Sequence, residues 1–489
     1  MFSFIIAIAA LLLGYLLYGR FVERVFCPDP SRQTPAVSKA DGVDYVPMPA
    51  WKVYMIQFLN IAGTGPIFGA IMGAKFGPAS YLWIVFGCIF AGAVHDYFTG
   101  MLSMRNGGAG LPELVKRYLG KGTSVVMLVF SMVLLMLVGT VFVYSPALIL
   151  GDLAPISSTA RTSIMIWVGI VFAYYIIATL LPIDKIIGRF YPLFAFALLF
   201  MAAALCVCLF VKWPAIPEVW GGLGNMGEAS GLLKGQPLFP CLFITIACGA
   251  ISGFHATQSP LMARCLTNEK MGRPIFYGAM ITEGIVALVW AAVSSYFFYA
   301  GGATEVGSNL SAAAPAVVTR VSRSWLGVFG GILAILGVVA APITSGDTAF
   351  RSARLIVADF LKLPQKKQVN RLIIALPLFA VAALLLWYNI ADENGFNTIW
   401  RYFGWANQTL ACFALWTATA WLTKNRPGAY YLVTMLPAAF MTAVCISYIC
   451  VDKIGFHMPA AWIPYIALSV FAISVCLYYL LSRKLRKVE

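Results

Sequence analysis

Apolar stretches, each close to the roughly 20 residues that cross a bilayer, follow one another along the chain and are parted by short polar connections. They run at 2–19, 53–74, 80–104, 125–150, 163–181, 190–211 and 238–262. Six more, at 275–300, 325–350, 371–390, 399–423, 429–451 and 460–482, predict thirteen transmembrane helices in an all-α integral membrane protein. The first stretch has no basic residue before it and is followed by Arg20 and Arg24, so it reads as a retained helix, not a cleaved signal.

Two stretches are interrupted near their midpoints. The second carries Asn60-Ile61-Ala62-Gly63-Thr64-Gly65-Pro66, and the seventh carries Cys248-Gly249-Ala250-Ile251-Ser252-Gly253-Phe254-His255. Glycine loosens a helix and proline removes a donor, so each segment can unwind where protein or a cavity satisfies the freed backbone. Pro66 suits the first turn of a second half-helix. Close helix packing alone would also account for one such segment. The pair says more, because five stretches separate their starts and the two begin on opposite sides. An inverted 5+5 repeat has that arrangement. An offset of 187 residues carries Trp51 onto Leu238 and Asp96 onto Glu283, in position and not in sequence identity.

The parts are then 1–50, an extra helix and a cytoplasmic loop; 51–237 and 238–424, the two five-helix repeats; and 425–489, two extra helices and a basic tail.

Composition agrees with the apolar pattern. The 489 residues are 61% apolar and 11% charged, against about 25% charge in a soluble domain, and mean hydropathy is +0.84. Forty-three glycines and 26 prolines exceed what unbroken helices need. The formal charge of +15 does not point to nucleic acid, because the basic residues sit in the connections. Of 34 Lys and Arg, 26 fall in the odd-numbered connections and the C-terminal tail and 8 in the even ones, with Arg371 and Arg401, at the starts of their stretches, counted with the connections before them. Cytoplasmic loops carry the basic excess. The N-terminus is therefore expected outside, and the tail with Arg483, Lys484, Arg486 and Lys487 inside. The basic stretch from Arg351 to Arg371, with six basic residues, reads as a solvated cytoplasmic anchor. The 11 cysteines lie mostly in apolar runs and show no zinc or disulfide spacing.

The candidate chemistry follows from the interruptions. Half-helix N-termini at mid-bilayer depth present N–H donors to a substrate carboxylate. Gly63, Thr64, Gly65 and Pro66 on one side and Gly249, Ser252, Gly253 and His255 on the other are the candidate substrate residues, with helix kinks that bind nothing as the alternative. Ionisable groups inside apolar runs are functional candidates by default. Asp347 lies among Thr344, Ser345 and Thr348, oxygens that with Ala62 could hold a coupling ion; pairing with Arg351 is the competing reading. His95, Asp96 and Glu283 are candidates for a proton relay or for structural ties, and His255 equally for a satisfied core histidine. Asn407 and Gln408 read as hydrogen-bond glue between helices.

At these motifs the sequence resembles the carbon starvation CstA family. The likeness rests on Asp41 to Pro47, Ile61 to Pro66, Phe90 to Phe98, Gly249 to His255 and Trp405-Ala406-Asn407-Gln408, and covers about residues 1 to 425. Family members often carry Gln-Asp where this chain has His95-Asp96, and many are longer. The resemblance implies peptide or pyruvate transport, a LeuT/APC-like fold, proton coupling and a bacterial inner membrane. The expected function is thus a secondary active transporter importing a peptide or a pyruvate-like carboxylate, with H⁺, or alternatively Na⁺, as the coupling ion. A sodium-coupled amino-acid or carboxylate symporter is the alternative. No cofactor or metal is expected, and the partners are a small-molecule substrate and membrane lipids, with oligomeric state open. A membrane-embedded metalloenzyme lacks a His-x-x-x-His, Glu-x-x-His or nucleotide-loop spacing. A channel fits paired broken helices less well than an occluded site does.

Overall fold

Phe2–Leu16 and Tyr18–Phe26 open a chain that the structure, a computed structural model, describes over residues 1–42, 44–180, 183–310, 312–365, 367–392 and 395–486. Val43 of the Asp41–Pro47 motif, Lys366 of the basic connection and Lys487 of the tail lie outside the described residues. The protein is all-helical, 78% helix, with no strand among the described residues. Ten helices there are long and apolar enough to cross a membrane, or eleven when the bent pair Ala50–Ile61 and Gly65–Ala74 counts as one. The thirteen expected stretches also include 238–262, which forms two short helices, and 399–423, which lies within the helix Gly395–Asn425, where Asn, Gln, Thr and Trp residues dilute the hydropathy.

Helices on the outside of the bundle keep apolar side chains unpacked. Val211, Leu384 and Leu468 are 80%, 66% and 72% exposed, and lipid tails are the solvent that such a surface suits. The centre is polar by comparison, with Gln57, Asn60, Asp96, His255, Glu283, Asp347 and Asn407 all buried.

Both sequence interruptions are breaks in helix. The first half-helix, α1 (Ala50–Ile61), ends at Ala62, and Thr64 precedes α2 (Gly65–Ala74), which is bent by 47° from α1. Pro66 sits in the first turn of α2, where its missing N–H costs nothing. The helix that follows is interrupted by a π turn at Cys88–Gly92 before α3 (Ala93–Arg105). The second break separates α4 (Leu238–Thr245) from α5 (His255–Ala263). Within it Gly249 has φ +91°, a conformation that favours glycine. Three further helices frame the centre: α6 (Gly278–Tyr299), α7 (Ala314–Leu361) and α8 (Gly395–Asn425).

Ion pairs between connections fall into two sets. Arg105 pairs with Glu269 at 2.9 Å and Arg273 with Glu23 at 2.7 Å. Elsewhere Lys212 pairs with Glu305 at 2.7 Å, Arg401 with Asp452 at 2.9 Å, and the N-terminal amine with Glu218. The first set joins odd-numbered connections only. The second joins the N-terminus, even-numbered connections and, through Arg401, the start of the 399–423 stretch.

Candidate functional site

The two breaks touch. A Cβ placed on Gly65 would lie 2.4 Å from Cys248 Sγ, and one on Gly249 would lie 3.6 Å from Pro66 Cα. Phe142 closes the space beside them. A Cβ on Gly63 would meet its ring at 2.6 Å, and the same ring packs edge-on against Phe254 at 6.0 Å between centroids. Phe142 belongs to the apolar helix Lys121–Leu153, and nothing in its sequence setting distinguishes it from a lipid-facing phenylalanine.

The donors of the second break already have an acceptor. Asn407 Oδ1, from α8, accepts the Phe254 N–H at 2.7 Å and the Ser252 hydroxyl at 3.1 Å. The Asn407 backbone carbonyl accepts the Gly253 N–H at 3.1 Å. Gly253 is what allows this approach, since a Cβ there would stand 2.2 Å from the Asn407 carbonyl oxygen and 2.5 Å from the Ala411 nitrogen. Asn407 thus joins the helices, as its sequence setting suggested. It also occupies the donors expected for a substrate carboxylate.

Around the first break, buried polar atoms are left over. Thr64 Oγ1 and both amide atoms of Gln57 and Asn60 have no hydrogen-bond partner. Unpaired buried polar groups cost about 1–3 kcal/mol each, so a cluster of them marks a place where a polar ligand would be stabilised. Gln57 escaped the sequence reading; an amide inside an apolar half-helix was the signal.

Asp347 sits on α7, beside the first break. Tyr191 donates its hydroxyl to Oδ2 at 2.9 Å, while Oδ1 has no hydrogen bond and lies 3.9 Å from Arg351 Nη2. That nitrogen donates instead to the Ala178 carbonyl at 2.9 Å. The hydroxyls of Thr344 and Thr348 donate to carbonyls of their own helix. Ser345 Oγ reaches across to the Leu59 carbonyl of α1 at 3.0 Å. The residues singled out near Asp347 are therefore together, and Ser345 links them to the first broken helix.

His95, Asp96, His255 and Glu283 form one buried chain. His95 Nδ1 lies 2.7 Å from Asp96 Oδ1, His255 Nδ1 lies 2.9 Å from Asp96 Oδ2, and His255 Nε2 lies 3.4 Å from Glu283 Oε2. Neighbouring residues on a helix diverge, yet His95 and Asp96 do meet. The two acids equated by the 187-residue offset both face His255. Its ring nitrogens are turned to carboxylates.

The model of the carbon starvation protein CstA family matches residues 1–166, 140–325 and 292–448. The peptide transporter CstA of Escherichia coli (strain K12) is 27% identical over 88% of this chain and 78% of that protein. The pyruvate/proton symporter BtsT of the same organism is 25% identical over 89% of this chain and 79% of its own. Among solved structures, a manganese transporter of Eremococcus coleocola superposes with a TM-score of 0.54 at 14% identity, covering 92% of this chain and 99% of that one. A Na⁺-coupled sialic acid symporter gives a TM-score of 0.54 at 12% identity, with 96% of each chain covered. At such identity the two structures share a LeuT-like fold with this chain and no more.

Proposed function

The chain belongs to the carbon starvation CstA family, and on that premise we propose that this transmembrane transporter is a secondary active importer of a small carboxylate-bearing nutrient, either a pyruvate-like acid or a short peptide. The observation that carries the reading is the Asn407 amide oxygen seated on the Phe254 N–H and the Ser252 hydroxyl. A substrate carboxylate takes that place and forms stronger, charge-assisted bonds to the same donors. Thr64, Gln57 and Asn60 supply the polar contacts on the facing side, and Phe142 packs against the bound molecule.

Coupling is proposed at Asp347, with H⁺ as the ion. Sodium requires several converging oxygens, whereas among the side chains of Thr344, Ser345, Asp347 and Thr348 the three hydroxyls are bonded to carbonyls and one carboxylate oxygen is left over. A proton needs only that oxygen. Because Ser345 ties α7 to the Leu59 carbonyl, a change of charge at Asp347 shifts the balance between arrangements of the first broken helix. The sorting of ion pairs supports odd- and even-numbered connections lying on opposite sides, as thirteen crossings require, and the Lys and Arg bias supports an N-terminus outside and a C-terminus in the cytoplasm.

The test is Asp347→Asn in proteoliposomes given labelled pyruvate or a labelled dipeptide from outside, under separately imposed proton and sodium gradients. Accumulation driven by the proton gradient should vanish while substrate exchange at zero gradient persists. Wild-type accumulation by the variant would move the coupling site elsewhere.

A further inference from the structure

The buried chain of His95, Asp96, His255 and Glu283 has no part in the transport scheme above, and three independent features of it point to a cation. Among the described residues, the ion pairs of Asp96 and Glu283 are to histidines alone. Two buried acids thus lack the lysine or arginine that commonly compensates such groups.

The second feature is convergence. Cys248 Sγ, a ring nitrogen of His255 and a Glu283 carboxylate oxygen lie within 4.8 Å of one another, and all three residues are buried. His255 Nε2 and both Glu283 oxygens make no hydrogen bond of ordinary geometry, although the Gly249 amide lies near the carboxylate. The third feature is orientation. Asp96 holds His255 through Nδ1 at 2.9 Å, and His95 in turn holds the other Asp96 oxygen at 2.7 Å. A carboxylate behind one ring nitrogen fixes the tautomer and aims the other lone pair, as second-shell carboxylates do in metal sites. An imidazolium donating from both nitrogens would instead draw Glu283 to about 2.7–2.9 Å. The observed separation is 3.4 Å.

We propose that Cys248, His255 and Glu283 form a binding site for a divalent transition-metal cation of the Zn²⁺ class, with Asp96 as the positioning residue for His255. The mixed sulfur, nitrogen and oxygen donor set suits that class and not Mg²⁺ or Ca²⁺. The ligands come from the second break, the start of α5 and the neighbouring helix α6, so a bound ion ties the hinge to its support. The proposal stands apart from what is transported.

Co²⁺ is the probe. Chelator-stripped, full-length protein in lipid nanodiscs is titrated with Co²⁺, and Zn²⁺ is added afterwards. Saturable binding is expected, with a thiolate-to-cobalt charge-transfer band in the near ultraviolet, tetrahedral ligand-field bands in the visible, and displacement by Zn²⁺. Cys248→Ser should abolish the charge-transfer band. Asp96→Asn should keep the band and weaken Co²⁺ binding by about 10–100-fold. Folded wild-type protein that binds no Co²⁺ overturns the proposal and leaves the cluster to protons. A charge-transfer band that survives in Cys248→Ser belongs to another cysteine and overturns it equally.

Discussion

Replacing Asn407 by alanine should tighten substrate binding, because the amide removed is a competitor for the donors. In the wild type, Asn407 Oδ1 accepts from the Phe254 N–H at 2.7 Å and from the Ser252 hydroxyl at 3.1 Å. A net hydrogen bond is worth about 0.5–1.5 kcal/mol, so displacing both costs an incoming carboxylate about 1–3 kcal/mol. At about 1.4 kcal/mol per factor of ten, half-saturation should fall by roughly 5–150-fold. The hinge keeps one anchor in the variant, since the Gly253 N–H bonds the backbone carbonyl of residue 407 at 3.1 Å. The unliganded variant should be less stable, because two buried donors lose their acceptor, and saturating substrate should restore it. Counterflow of labelled pyruvate and of a dipeptide in proteoliposomes gives the half-saturation, and thermal unfolding with and without substrate gives the stability. An unchanged or raised half-saturation, in protein with wild-type counterflow amplitude, would refute the competition and leave Asn407 as a tie between helices.

Two more outcomes follow from the same geometry. Gly253→Ala puts a methyl group 2.2 Å from the Asn407 carbonyl oxygen; the facing atoms are backbone, so overpacking should cost about 1–3 kcal/mol. Uptake should be lost at wild-type membrane abundance, and normal uptake would mean that α5 and α8 can separate freely. Cysteines introduced at the two termini should react with a membrane-impermeant reagent at the N-terminus alone in intact cells, whereas labelling of both or of neither would break the thirteen-crossing topology.

The membrane class, the positions of both helix breaks and the family were legible in the sequence, for a common reason. Apolar runs of bilayer length, Gly and Pro within them, and the distribution of Lys and Arg act over a few neighbouring residues and need no partner. The grouping around Asp347 was partly legible too, since Thr344, Ser345, Asp347 and Thr348 are neighbours on one helix. The π turn at Cys88–Gly92 was not, because nothing in that apolar run separates it from ordinary helix.

What the sequence by itself determined is how many polar and ionisable groups enter the membrane interior and which helices carry them. Tertiary structure decided which of them meet. Asp96 and His255 are 159 residues apart and in contact, and Asn407 reaches back 153 residues to the Phe254 amide. In a low-dielectric interior a buried polar group is costly until another pairs with it. That partner is chosen by how the helices pack, and the packing is a property of the bundle and not of any one segment.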